Sequence, residues 1–165
     1  MKEMRRKDRK VTDFEMIKKI ISECDVIRLG FQDGEFPYIV PLNFGYEFDE
    51  EQIYFYIHGA LAGRKYDLIK EKGICSFEMD KTLQLELMPE AKDVTTRYMS
   101  LFGHAKIEIL EGDEKWHGVK VLMDRDERTR DFEYNKNAVP KTMIAKLTVL
   151  EYTGKINPID GNADQ

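Results

Sequence analysis

Cysteine is scarce in this chain. Cys24 and Cys75 are the only two in 165 residues, and no Cys-x-x-Cys pair occurs. That excludes a disulfide framework and a cysteine zinc site, and it is the pattern of a reducing, cytoplasmic compartment. Both cysteines have apolar neighbours (Ile20, Ile21 and Val26; Ile74 and Phe77), so both are read as buried small hydrophobes. Histidine is nearly as rare. His58, His104 and His117 have no metal-binding spacing and no His-Glu-x-x-His, so no metal is expected. No run approaches the ~20 apolar residues of a membrane span, and the start lacks the apolar region of a signal peptide. Neither G-x-x-x-x-G-K-[ST] nor G-x-G-x-x-G occurs, nor any nucleophile elbow. A net charge of -5 argues against a nucleic-acid binder. The one basic cluster, "MKEMRRKDRK", is diluted by Glu3 and Asp8 and reads as a solvated arm.

What is present suits one globular domain over residues 1–165, with 42% hydrophobic and 11% aromatic residues. Residues 1–11 form the basic arm and residues 156–165 read as a frayed tail. Thr12 and Glu15 fit a capping box, with Thr12 as N-cap, ahead of an amphipathic helix over residues 13–24. "VIRLGF" is a strand and "QDGE" a hairpin turn. "FPYIVPLNFGYEF" follows as one strand that is an edge, is bulged, or faces a ligand at Pro37 and Pro41, which cannot donate ladder bonds. "QIYFYIH" is the third strand, and a helix runs from about Arg64 to Lys72. "ICSFEMD" and "TLQLELM" are two further strands, and "TRYMSLFGHAKIEIL" is the longest, with Gly103 marking a bulge or close approach. "GDEKWHGVKVLMDRD" is helical, "RTRDFEYNKNAVPK" is a polar loop with at most a helical turn, and "TMIAKLTVLEYTGK" is the last strand. "DRDERTRD" reads as a solvated face, and Phe44, Tyr46, Tyr54, Phe55 and Tyr56 read as core or hairpin packing. The order predicts a mainly antiparallel α+β fold or small barrel.

The stretch "YFYIHGALAGRKYDLIKEKG" carries a conflict. Arg64 and Lys65 open a helix, where cations oppose the macrodipole. An anion in front of them would remove it. Gly59, Ala60, Ala62 and Gly63 leave backbone N–H groups approachable, the helix start offers free donors, and His58 can donate from its ring. A flexible turn with two surface cations is the other reading, and these residues alone do not choose. In "YIVPLNFGY", Asn43 is an amide among apolar residues; a heterocycle with imide-like edges or neighbouring backbone would satisfy it.

Four segments in order, "MRRKDRK", "YIVPLNFGY", "IHGALAGRKYDLI" and "RYMSLFGHAKI", resemble the pyridoxamine 5'-phosphate oxidase-related flavoproteins, most closely their nitroimidazole-resistance branch. The resemblance runs from about Met4 to Lys155. It implies an FMN-binding split β-barrel of about six antiparallel strands with flanking helices, forming a homodimer with FMN at the interface. By position, Val40, Pro41, Leu42 and Asn43 would lie along the flavin ring and ribityl chain. His58, Gly59 and Ala60 would lie near the ribityl-phosphate end, and Arg64 and Lys65 would hold the phosphate. Arg97, Tyr98 and, more weakly, Ser100 would reach the flavin from the other subunit, and His58 is the one candidate catalytic residue. The chain ends "EYTGKINPIDGNADQ", without the arginine-rich segment and Arg-Leu-x-Pro of the pyridoxal-forming oxidases. The implied activity is therefore FMN-dependent reduction of a small electrophile such as a nitro-aromatic. The alternative is a flavin- or haem-binding storage or sensing protein of the same fold.

Overall fold

The computed structural model describes residues 4–158. After a 3-10 turn (Lys7–Arg9), β1 (Lys10–Val11) leads into helix α1 (Phe14–Glu23). Strands β2 (Ile27–Asp33), β3 (Phe36–Leu42), β4 (Gly45–Asp49) and β5 (Gln52–Ala60) precede α2 (Arg64–Lys72). Then come β6 (Ile74–Met88), β7 (Asp93–Ile109), α3 (Gly112–Asp124), α4 (Glu127–Arg130), a 3-10 segment (Lys136–Lys141) and β8 (Thr142–Asn157). No helix among the described residues is long and apolar enough to cross a membrane.

All the strand pairings are antiparallel, in the order β3-β2-β6-β7-β8-β5-β4, with β1 added on β8. The outer strands β3 and β4 do not pair with each other, so the sheet curls without closing. Period-two alternation turns Leu29, Phe77, Met79, Leu101, Ala105 and Leu147 inward, where α1 meets them with Ile17, Ile20 and Ile21 and α2 with Leu68 and Ile69. A second, smaller core beneath α3 gathers Tyr56, Leu110, Val119, Val139 and Ile144.

Several sequence expectations need correction. Among the described residues the sheet has eight strands, where about six were expected. The run over residues 36–48 is two strands: β3 pairs with β2 and β4 with β5, so the chain must bend at Asn43–Phe44 as it changes partner. Residues 74–88 are instead one strand, because β7 pairs with both halves across a bulge between Thr82 and Gln84. The α1 N-cap is Asp13, whose carboxylate accepts from the Glu15 N–H at 3.2 Å, one position later than expected. The arm is tied down, since Lys10 and Val11 pair with Lys155 and Gly154. Ile156 and Asn157 belong to β8 opposite Met99 and Tyr98, and the rest of the expected tail, from residue 159, lies outside the described residues.

Other expectations are met. β3 is an edge strand, which accommodates Pro37 and Pro41. Both cysteines are buried, and burial pushes the Cys24 thiol up to about 11 and the Cys75 thiol up to about 12.

Gly103 marks a close approach. A Cβ there would lie 2.5 Å from the Glu151 carbonyl oxygen and 2.5 Å from the Phe77 ring. The carbonyl belongs to the β7–β8 ladder and cannot yield. Gly103→Ala is expected to destabilise the fold by roughly 1–3 kcal/mol, read as a lower urea midpoint with unchanged slope. An unchanged midpoint would contradict the packing described here.

Candidate functional site

The site forms where β5 runs out. His58 stands opposite Ile144 and Gly59 opposite Met143 across the β5–β8 ladder. Leu61 to Gly63 then turn the chain into α2. Gly63 sits at φ 99°, a backbone conformation that favours glycine, and provides no side-chain cap. Apart from the Asp67 N–H, which bonds the Gly63 carbonyl at 3.1 Å, the first turn of α2 has no intrahelical acceptors for its N–H groups.

The two cations behave differently. Arg64 is held by Asp33 at the end of β2: its Nε donates to Oδ2 at 2.8 Å, and Nη2 bonds Oδ1. The chain itself therefore supplies part of the negative charge that these cations require at a helix start. Lys65 folds back over β5 and donates from Nζ to the His58 carbonyl at 3.2 Å. It can do so because residue 59 is glycine; a Cβ there would meet Nζ at 2.6 Å. Burial lowers the Lys65 pKa.

His58 on β5 and Asn43 in the bend between β3 and β4 line one cavity of about 740 Å³. Its apolar wall includes Phe44, Val119, Leu122, Met123, Val139 and Ile144. Polar residues from the end of α1 and from residues 125–142 complete it, among them Arg125, Tyr134 and Thr142. Although much of His58 meets solvent, partial desolvation draws its pKa below 6.5, and the Lys65 charge pushes the same way. Both effects favour the neutral imidazole.

The remaining predicted residues divide by sheet face. Val40 and Leu42 turn inward and pack against the main core, leaving only their backbone to a ligand, whereas Pro41 is exposed. Ala60 is exposed at the β5 terminus. Arg97, Tyr98 and Ser100 do not line the cavity. Arg97 is buried and donates from Nε to Glu86 at 2.5 Å. Tyr98 lies beneath the cations of Arg9 (6.0 Å) and Lys155 (5.4 Å). Ser100 faces Lys155 across the ladder.

Sequence reading missed the wall formed by residues 119–144. "DRDERTRD" is not simply a solvated face, since Arg125, Asp126, Arg128 and Thr129 all line the cavity. Asp126 does give a local signal, as the N-cap of α4 accepting from Arg128 N–H at 2.8 Å. Nothing local says that this turn folds over His58. Phe44, read as packing, is both core and cavity wall.

An open antiparallel sheet with flanking helices is the split-barrel architecture. The family model described as pyridoxamine 5'-phosphate oxidase matches residues 13–156, and the chain belongs to that family. Among solved structures, a protein assigned to 5-nitroimidazole antibiotic resistance from Bacteroides thetaiotaomicron is 28% identical, with 89% of this chain and 86% of that one covered at a TM-score of 0.77. The FAD and heme binding protein of Mycobacterium smegmatis shares the fold at 17% identity, with 93% and 77% covered and a TM-score of 0.78. A flavocytochrome of Azotobacter vinelandii does so at 20% identity, 97% and 76% covered, TM-score 0.74. No curated protein matches the sequence.

The depressed His58 pKa has a definite sign. The folded state binds fewer protons at this residue than the unfolded chain, so its contribution to stability is intact above about 6.5 and declines as pH falls towards the lowered value. Heteronuclear NMR titration of His58 should give a pKa below 6.5, rising in Lys65→Met. Titration at or above the ordinary value would overturn this account.

Proposed function

We propose that the chain is a cytoplasmic, homodimeric FMN-dependent oxidoreductase that reduces a small electrophile such as a nitro-aromatic, with residues 1–165 as one flavin-binding domain. The observation that carries this reading is the convergence of Asn43 and His58 on one cavity, together with Lys65 bonded to the His58 carbonyl and the uncapped N–H groups at the α2 start.

The residues fit a flavin phosphate ester. Lys65 supplies a charge and the first turn of α2 supplies N–H donors, a combination suited to phosphate. Gly59 keeps the space that Lys65 needs, and Arg64 is a second cation within the same turn. Asn43 has both a donor and an acceptor for the edge of a heterocycle. The cavity volume lies within the range usual for small-molecule sites. A bound flavin would supply the redox chemistry, with the electron pair drawn from an external reductant. His58 contributes a neutral imidazole, which holds a proton on one ring nitrogen and accepts on the other. The apolar wall excludes water from the acceptor's surroundings.

The homodimer is supported by the sheet. Pro41 and Tyr98 share one sheet face, but β2 and β6 stand between their strands, a separation of roughly 14 Å. Residues from β3 and β7 could therefore meet at one flavin when two copies pack through this face. The same face exposes Ile39, Ile74 and Phe102, which a second copy would cover.

The first test is the visible spectrum of the purified protein before and after anaerobic dithionite. Twin flavin bands that bleach on reduction are expected; a Soret band would move the reading to a haem protein. Lys65→Met is expected to weaken FMN by about tenfold or more, the value of one charge-assisted bond, while leaving riboflavin affinity unchanged. Equal loss for both flavins would rule out the phosphate assignment. Tyr98→Ala should loosen FMN without unfolding the chain, and a monomeric holoprotein in light scattering would falsify the shared site.

A further inference from the structure

Among the described residues, the cavity contains one cation that no carboxylate hydrogen-bonds or ion-pairs, Asp126 acting on it only through space. Arg125 follows the last residue of α3 and reaches the end of α1, where its Nη2 donates to the carbonyls of Ser22 at 2.9 Å and Cys24 at 2.7 Å. Its guanidinium lies over the rings of Phe44 (5.4 Å) and Tyr46 (5.0 Å). Carbonyls at a helix C-terminus and two aromatic faces all favour a cation, so Arg125 is held in place without being neutralised. Its Nε and Nη1 carry three of the five guanidinium donors, and these have no partner among the described residues.

The other charged groups around the cavity differ. Arg128 is occupied by Asp126, through Nε at 2.9 and 3.1 Å and Nη2 at 2.5 Å. Asp126 also accepts from the Arg128 backbone N–H, and it makes no hydrogen bond to Arg125, whose charge reaches it only through space. Asp25, the other carboxylate in the lining, is exposed and makes no ion pair with Arg125. The cavity thus combines an apolar wall, the polar groups of Asn43 and His58, and a rigid guanidinium with donors to spare. That is the recognition chemistry of a small aromatic acid.

We propose that Arg125 binds the carboxylate of an aromatic acid whose ring occupies this cavity, so that the preferred acceptors are aromatic carboxylates rather than neutral aromatics. This rests on the proposed function: the flavin edge would meet Asn43 and His58, the acceptor's ring would take the part of the same cavity next to Arg125, and Arg125 sets specificity there without taking part in electron transfer.

The test is isothermal calorimetry on the holoprotein with para-nitrobenzoate and its neutral methyl ester. The acid should bind roughly tenfold or more tightly than the ester, in line with a charge-assisted hydrogen bond. Arg125→Gln should abolish that preference while leaving ester binding in place, and Arg125→Lys should restore part of it. Because Arg125 also joins α3 to α1, the wild-type protein provides a second measurement that needs no variant. Added salt should weaken the acid and spare the ester. Equal affinities in the wild type, no binding of either ligand, or a preference that survives Arg125→Gln would each overturn the proposal. Binding of the acid without its reduction would uphold the anchor and count against the oxidoreductase reading.

Discussion

Strand β8 has to satisfy two ladders at once, and the site depends on its doing so. Residues 145–148 bond β5 on one edge and β7 on the other, and further along Gly154 and Lys155 bond β1 and β7. A sixteen-residue strand holding both halves of an open sheet fixes where β5 ends relative to the core. His58 is held opposite Ile144 by that ladder, and Ile144 belongs to the small core beneath α3. The cavity is thus bounded in part by β8, through Thr142 and Ile144, while most of its polar groups come from the ends of helices and strands and from turns.

Much of this was legible in the residue pattern, because alternation and turn chemistry are local signals. The helices beginning near residues 14 and 64, the β2–β3 turn and the edge character of a strand with two prolines all follow from neighbours in sequence. The family's motifs also led to His58 and Asn43, which do share a cavity. Strand continuity was less legible. Whether residues 36–48 make one strand or two depends on which partner each half finds, and that partner lies elsewhere in the chain. The role of Arg125 was not legible at all. In sequence it stands in a mixed-charge run, and only tertiary packing brings it onto Phe44, Tyr46 and the end of α1.

The start of α2 shows why a charge pattern needs partners before it can be interpreted. Two adjacent cations at a helix N-terminus suggested a missing anion. The chain supplies Asp33 to one of them and only a backbone carbonyl to the other. Arg64 and Lys65 are neighbours in sequence, yet one is neutralised by an ion pair and the other retains its charge beside the cavity strand. The unneutralised charge of the two is therefore that of Lys65, a distinction that depends on a hairpin thirty-odd residues away.

The two buried thiols have a practical consequence. Each is protonated at neutral pH and out of contact with solvent, one at the end of α1 and the other at the beginning of β6. A thiol-specific reagent can react only when the surrounding element opens. Its labelling rate at Cys24 and at Cys75 therefore reports the local opening free energy at two points of the fold, without any probe having to be engineered.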